Sequence, residues 1–412
     1  KTQEVEILTL EDCLRIGIDN NLSLEGKRKE IQRSKYGVSE NRSKLLPQIN
    51  AIAGYSNNFD PPVSVTDGSS YGVPYNITQT LQHSANAGLE MQMPLFNQTL
   101  YTSMSIAKVM EEISRLSYGK AREDVILQIS KMYYLGQVTA EQIMLIKANI
   151  TRLEELRDIT QAFFDNGMSM EVDLKRVNIN LENLKVQYDN AQAMMKQQLN
   201  MLKYIMDYPA EKEIALTPVN TDSITTVALT GLSENIYELQ LSQSQVQLAE
   251  RQKKIIANGY IPSLSLTGSW RYAAYTDKGY HWFHSGPSNQ WFRSYGVGLT
   301  LRIPIFDGLD KTYKIKKAMI DIKNKRLAWE DARKNLQTQY LNAVNDLMNN
   351  QRNFKKQKDN YLLAEDVYAV TSDRYREGIA SMTEVLQDEM QMSEAQNNYI
   401  SAHYNYRVTN LM

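Results

Sequence analysis

The side chains able to do chemistry are few. The four histidines are His83, His281, His284 and His403, and Cys13 is the only cysteine. His281 and His284 stand three apart and could share a metal ion, but no carboxylate or thiol cluster accompanies them, so the pair reads as loop chemistry. One cysteine forms neither an internal disulfide nor a zinc cluster. Cys13 therefore reads as a packed thiol, not as an N-terminal lipid anchor. The sequence has no Gly-x-x-x-x-Gly-Lys-Ser/Thr phosphate loop, no Gly-x-Ser-x-Gly turn and no His-Glu-x-x-His helix. General acid–base and thiol catalysis have few candidates. No enzyme is expected, with no catalytic residues, no cofactor and no metal site. The 18 methionines read as packing, with a soft-metal path as the alternative.

Charge narrows the partners. There are 46 basic and 47 acidic residues, a net charge of −1. That excludes a polybasic nucleic-acid surface and an acidic disordered tail. The hydrophobic share of 42% includes 25 tyrosines and is low for 412 residues, a length that would fill two or three globular cores. No stretch approaches the ~20 apolar residues of a membrane helix. Lys1 opens on no signal-peptide pattern, so any export signal is expected to have been removed.

The elements that carry these residues are unusual. Between Pro94 and Pro209 there is no proline, and none follows Pro304. Proline costs ~3 kcal/mol inside a helix, so these runs permit very long helices. One from about Asn97 to Asp165 would measure roughly 100 Å, which demands a coiled coil, a membrane or a repeat. The features also recur with an offset near 210 residues. LLPQINAIAGY (Leu45–Tyr55) resembles YIPSLSLTGSW (Tyr260–Trp270), and GLEMQMPLF (Gly88–Phe96) resembles GLTLRIPIF (Gly298–Phe306). NGMSMEVDL (Asn166–Leu174) resembles EGIASMTEV (Glu377–Val385). The duplication predicts repeats over 1–210 and 211–412. Leu174, Leu181, Tyr188, Met195 and Leu202 are seven apart, as are Val385, Met392, Tyr399 and Tyr406. Val177, Leu184, Ala191, Ala395 and Ala402 supply companion positions, so paired, left-handed supercoiled helices are expected.

Each copy also carries two alternating runs of ~9–11 residues, the length of a tilted membrane strand. Ile49, Ala51, Ala53 and Tyr55 share one face, and Ala85, Ala87, Leu89, Met91, Met93 and Leu95 share another. In the second copy the sets are Leu264, Leu266, Gly268, Trp270 and Tyr272, then Tyr295, Val297, Leu299, Leu301 and Ile303. The predicted strands lie in about 47–95 and 261–304. Long loops, Asn58–Gln82 and Ala273–Gln290, join them, and the second holds Tyr275, Tyr280, Trp282, Phe283 and His284. Four strands cannot close in lipid, because an open edge leaves backbone groups unsatisfied and membrane barrels start at eight strands. The chain is expected to oligomerise, and three copies would give twelve strands.

In its order of motifs the sequence resembles the TolC-like outer-membrane efflux protein family. The motifs are LTLEDCLRIGIDNNLSL (Leu8–Leu24), LPQI (Leu46–Ile49), PLF (Pro94–Phe96), PIF (Pro304–Phe306) and YREGIASMTEVL (Tyr375–Leu386). The resemblance covers essentially the whole chain. It implies a homotrimer in the Gram-negative outer membrane, with a twelve-stranded membrane β-barrel continued by a coiled-coil α-helical barrel in the periplasm. A mixed equatorial region is implied near 1–20, 207–232 and the C-terminus. Helices in such a hollow tube pack only sideways, so low apolar content and solvated lysine-rich faces at Lys314–Arg326 and Arg352–Lys358 follow.

The resemblance also implies roles. The partners would be outer-membrane lipid, a periplasmic adaptor (membrane fusion) protein and an inner-membrane transporter. The adaptor would dock at two tips, Asn166, Gly167, Met168 and Glu377, Gly378, Ile379. The periplasmic entrance would be constricted by Glu384, Gln387, Asp173 and Tyr375, with Tyr375 bonded to Asp173 across neighbouring helices. An arginine of the family's latch falls on Ala380, so that contact is absent. The expected activity is passive export of substrates delivered by the pump. A type I protein secretion duct and a soft-metal efflux duct are alternatives, and a soluble coiled-coil scaffold is the reading from another class.

Overall fold

The computed structural model describes residues 5–61, 63–67, 69, 72, 74–79, 81–218, 235–276 and 291–411. His281, His284, Tyr280, Trp282, Phe283 and most of the expected junction at 207–232 lie outside them. In chain order the elements are β1 (Glu6–Leu8), α1 (Leu10–Asn20), α2 (Leu22–Ser43), β2 (Gln48–Asn57), β3 (Val63–Asp67), β4 (Tyr75–Gln79) and β5 (His83–Phe96). Next come α3 (Gln98–Asp165), α4 (Glu171–Met206), β6 (Ile214–Leu216), α5 (Tyr237–Ala257), β7 (Ser263–Thr276), β8 (Trp291–Arg302), α6 (Asp310–Arg376) and α7 (Met382–Thr409). The two longest helices have 68 and 67 residues, each about 100 Å of continuous helix, as the proline-free runs predict. Helix, two long strands, very long helix and shorter helix follow one another in both halves.

The chain divides into two compact units, each drawing segments from both halves of the sequence. One comprises Ile31–Ser114 and Ser242–Ala328. Its four-stranded antiparallel sheet has the order β2-β5-β7-β8. The register joins the predicted apolar sets into rows across all four strands. Ile49, Met91, Gly268 and Val297 form one row, and Ala51, Leu89, Trp270 and Tyr295 the next. The intervening rows are polar or small: Asn50, Glu90, Ser269, Gly296, and Gln48, Gln92, Thr267, Gly298. A slip of one residue would mix the faces. Gly88 is dictated by close approach, because a Cβ there would lie 2.3 Å from the Trp270 carbonyl oxygen. On the polar face Arg271 pairs with Glu90. The helices of this unit lie side by side: Ser34 meets Ser114 at 2.7 Å (α2 to α3), and buried Asn258 donates to Thr102 at 2.5 Å.

Four details correct the sequence reading. Three of the long strands, β5, β7 and β8, run to 12–14 residues, longer than predicted, while β2 has 10. A bulge between Pro94 and Phe96 makes Leu95 the extra residue and returns Phe96 to face Leu264. Ile303 lies past the end of β8. The segment Asn58–Gln82 contains the hairpin β3–β4, so each chain has short strands besides the four long ones.

The other unit comprises Lys1–Glu30, Arg115–Leu241 and Trp329–Met412. Here β1 pairs in parallel with β6, beside α1 and the end of α4. Leu8, Cys13, Leu24, Ile129, Tyr133, Leu202 and Met206 are buried together there. Thr9 and Asp12 form a reciprocal capping box at the start of α1, which satisfies two otherwise unpaired donors. Burial, then the Asp12 charge, push the Cys13 thiol up to about 12, so it packs as a neutral group. The second core joins α3, α4, α6 and α7. Val177, Leu181, Leu184, Val385, Met392, Tyr399 and Tyr406 of the predicted heptads are buried in it. Phe354, Tyr361, Tyr368 and Tyr375 form a further buried seven-residue ladder on α6.

Candidate functional site: two helical tips and a buried polar seam

The links α3–α4 and α6–α7 have the same backbone design. Gly167 has φ +72° and Gly378 φ +74°, the left-handed conformation that glycine adopts without strain. Met168 N donates to the Phe163 carbonyl (2.8 Å) and Gly167 N to Phe164 (2.9 Å). Ile379 N donates to Arg374 (2.8 Å) and Gly378 N to Tyr375 (2.9 Å). Both are Schellman-type closures that satisfy the last carbonyls of a helix. The side chains around them point outward: Met168, Met170, Val172 and Ile379 are exposed, as are Asn166 and Glu377.

Contacts across the links bring the tips together. Arg176 of α4 reaches Thr383 of α7 at 3.4 Å, and Arg376 of α6 lies 3.5 Å from Glu155 of α3. Tyr375 is buried against Phe163, and its hydroxyl reaches Thr160 Oγ1 at 3.4 Å. Asp173 pairs with Arg176 at 3.4 Å. Within the chain, therefore, no bond joins Tyr375 to Asp173. Each is turned to another partner, because Tyr375 continues the buried α6 ladder. Glu384 is exposed and does a local job: its carboxylate accepts from Ser381 N (2.8 Å) while Ser381 Oγ accepts from Glu384 N (3.3 Å). This capping box was visible as Ser-x-x-Glu at Ser381–Glu384. Gln387 is exposed one turn on.

The sequence reading missed a polar seam in the core between α3 and α7. Asn149 and Gln396, both buried, exchange side-chain hydrogen bonds at 2.6 and 3.3 Å. Further along, Glu141 accepts from the Tyr399 hydroxyl (2.7 Å) and lies 2.8 Å from Nδ1 of His403, which is 1% exposed. Arg407 Nε donates to His403 Nε2 at 3.3 Å, which leaves Nδ1 to donate to Glu141. Burial would raise the Glu141 carboxyl, but the bonds from His403 and Tyr399 outweigh it and hold the group below its ordinary value. Glu389 behaves oppositely: burial lifts it above the usual carboxylate range, with Arg152 only partly offsetting. Nearby Arg152 bonds Glu365 at 2.8 Å. Apart from Arg407 and His403, four apart on α7, none of these pairs follows a local motif, since their partners lie some 210–260 residues apart. Among the described residues there is no cluster of histidine, cysteine and carboxylates fit for a metal, and no helix is long and apolar enough to cross a membrane.

Known proteins share this fold and are similar in sequence. Outer membrane protein TolC of Vibrio cholerae serotype O1 is 21% identical over 385 residues, covering 90% of this chain and 81% of that protein. The probable efflux pump outer membrane protein TtgC of Pseudomonas putida is 23% identical over 417 residues, covering 95% and 78%. The crystal structure of CusC, described for its transmembrane channel formation, superposes with a TM-score of 0.80 over 98% of this chain and 90% of CusC, at 16% identity. The family model described as outer membrane efflux protein matches residues 16–206 and 229–411, nearly the whole described length, and the chain belongs to that family of outer-membrane proteins.

Proposed function

We propose that three copies of this chain form an outer-membrane exit duct, which passively conducts substrates received from an inner-membrane transporter through a periplasmic adaptor. One observation carries the reading. The sheet β2-β5-β7-β8 has an apolar face, a polar face and two edges, β2 and β8, that are unpaired among the described residues. In lipid such edges must pair, and three sheets joined edge to edge give a closed barrel of twelve strands with a polar lumen. The helices support the same assembly. Tyr313, Ile320, Leu327, Leu341, Met348 and Leu362 of α6 are exposed and fall on a single seven-residue repeat. Val172, Ile179 and Val186 of α4 do likewise. Such stripes suit coiled-coil seams with neighbouring copies.

The helical part then lies in the periplasm. The tips at Asn166–Met168 and Glu377–Ile379 are the adaptor-docking surface, and Glu384, Gln387, Asp173 and Tyr375 border the entrance. Energy comes from the transporter, since the sequence carries no nucleotide motif. The names of the relatives favour efflux over protein secretion. Light scattering of the protein purified from membranes in detergent tests the reading: a trimer is expected. A monodisperse monomer soluble without detergent would leave the scaffold reading in its place.

A further inference from the structure

A cleft of about 500 Å3 opens between α5 and α6. Four cations line it: Lys253 and Lys254 from α5, Lys323 and Arg326 from α6. Ala257, Met319 and Ile322 give it an apolar floor. The one carboxylate in the lining, Glu250, is already engaged by Arg326 at 2.8 Å. Lys253, Lys254 and Lys323 have no ion-pair partner among the described residues. Three lysines without an ion-pair partner among the described residues thus line one cleft, an excess of positive charge that an anion would balance.

We propose that this cleft binds the phosphate-bearing headgroup of a membrane lipid; the assignment rests on the outer-membrane reading above. Two features favour a lipid over a free anion. The apolar floor has no use for inorganic phosphate but suits the carbon skeleton of an amphiphile. The position also fits. Helix α5 ends at Ala257, a short turn over Asn258–Tyr260 follows, and β7 starts at Ser263. Lys253 is thus roughly 10–15 Å from the strand ends. The headgroup layer adds about 5–8 Å to each side of the hydrocarbon core, so a lysine at that depth, extended toward the membrane, reaches it. Lys253 and Lys254 reach the headgroup from α5, while Lys323 and Arg326, about 20 Å along α6, bound the far end of the cleft.

The test is native mass spectrometry of the detergent-purified protein incubated with phosphatidylglycerol or phosphatidylcholine. The wild type is expected to retain phosphatidylglycerol in preference. The combined variant Lys253→Gln, Lys254→Gln, Lys323→Gln should lose that retention by roughly tenfold or more. A control with the same loss of charge, Lys314→Gln, Lys317→Gln, Lys325→Gln, lies on the other flank, since Lys325 is about 200° round the helix from Lys323. It should retain lipid like the wild type. Equal loss in the two variants means unspecific attraction and overturns the site, as does equal retention of the two lipids. Inorganic phosphate, titrated by calorimetry without lipid, should bind the wild type far more weakly than phosphatidylglycerol does, since it leaves the apolar floor unused. Phosphate binding as tight as that of the lipid would overturn the lipid assignment. Conductance in planar bilayers separates this inference from the duct itself. Variants that conduct normally while lipid retention is unchanged leave the duct standing and remove the cleft, whereas a wild type that forms no pore removes the duct.

Discussion

At the scale of single residues, the buried seam sets opposite pH dependences on two carboxylates. Glu141 is held below its ordinary value of 4.5. Its contribution to stability is therefore present above pH 4.5 and is lost as pH falls through the lower, folded value. Glu389 is raised above 4.5, so its contribution is present below 4.5 and is lost as pH rises through the folded value. Glu141→Gln should accordingly lower neutral-pH stability by about 1–3 kcal/mol, since the Tyr399 and His403 donors lose a charged acceptor. Glu389→Gln should raise it, because no desolvated charge remains to be accommodated. Chemical denaturation in detergent at pH 7, followed by circular dichroism, reads both, and shifts of the same sign would refute the opposition. The tips give a different lesson. Glycines at Gly167 and Gly378 were legible because helix ends require them, and Ser381–Glu384 was legible as a capping pattern though it was not read as one. The partner of Tyr375 was not legible, because its burial depends on the phase of α6 against α3, set by packing over many turns.

At the scale of elements, the sheet was the most readable part. Alternation has a period of two, so each strand announces its faces without knowledge of its neighbours, and pairing then aligned Leu89 with Trp270 and Leu266 with Leu299. The bulge at Leu95 escaped because Pro94, Leu95 and Phe96 continue an apolar run. The β3–β4 hairpin escaped because Pro61, Pro62, Gly68 and Gly72 read as loop punctuation. The aromatic ladder of α6 escaped because Phe354 stands within the lysine-rich stretch Arg352–Lys358, which reads as a solvated face. The faces make a direct prediction. Leu299 is on the apolar face and Thr300 on the polar one. Charge at a lipid-facing midplane site costs ~2–4 kcal/mol, so Leu299→Arg should cut outer-membrane abundance while Thr300→Arg is tolerated. Immunoblots of membrane fractions decide this, and equal abundance would mean that the faces are misassigned. The exposed α6 stripe predicts that Leu341→Lys with Met348→Lys shifts the trimer toward monomer in detergent, measured by light scattering. An unchanged trimer would place the helical seam elsewhere.

At the scale of the whole molecule, the low apolar content fits a chain whose long helices bury only their sides. In the proposed trimer, threefold symmetry would bring three copies of Glu384 toward one axis, where like charges repel, and closure would rely on contacts such as Arg176 to Thr383 and Arg376 to Glu155. Opening by an adaptor then requires only a shift between populated states. Replacing Arg176 and Arg376 with Gln should raise resting conductance, and Glu384→Gln should weaken block by multivalent cations from the periplasmic side. The most direct single measurement is the conductance of the purified wild-type protein in planar bilayers, with its mass determined in the same detergent. A trimeric particle that inserts and conducts is the predicted result, and a monomer that leaves the bilayer sealed would contradict it.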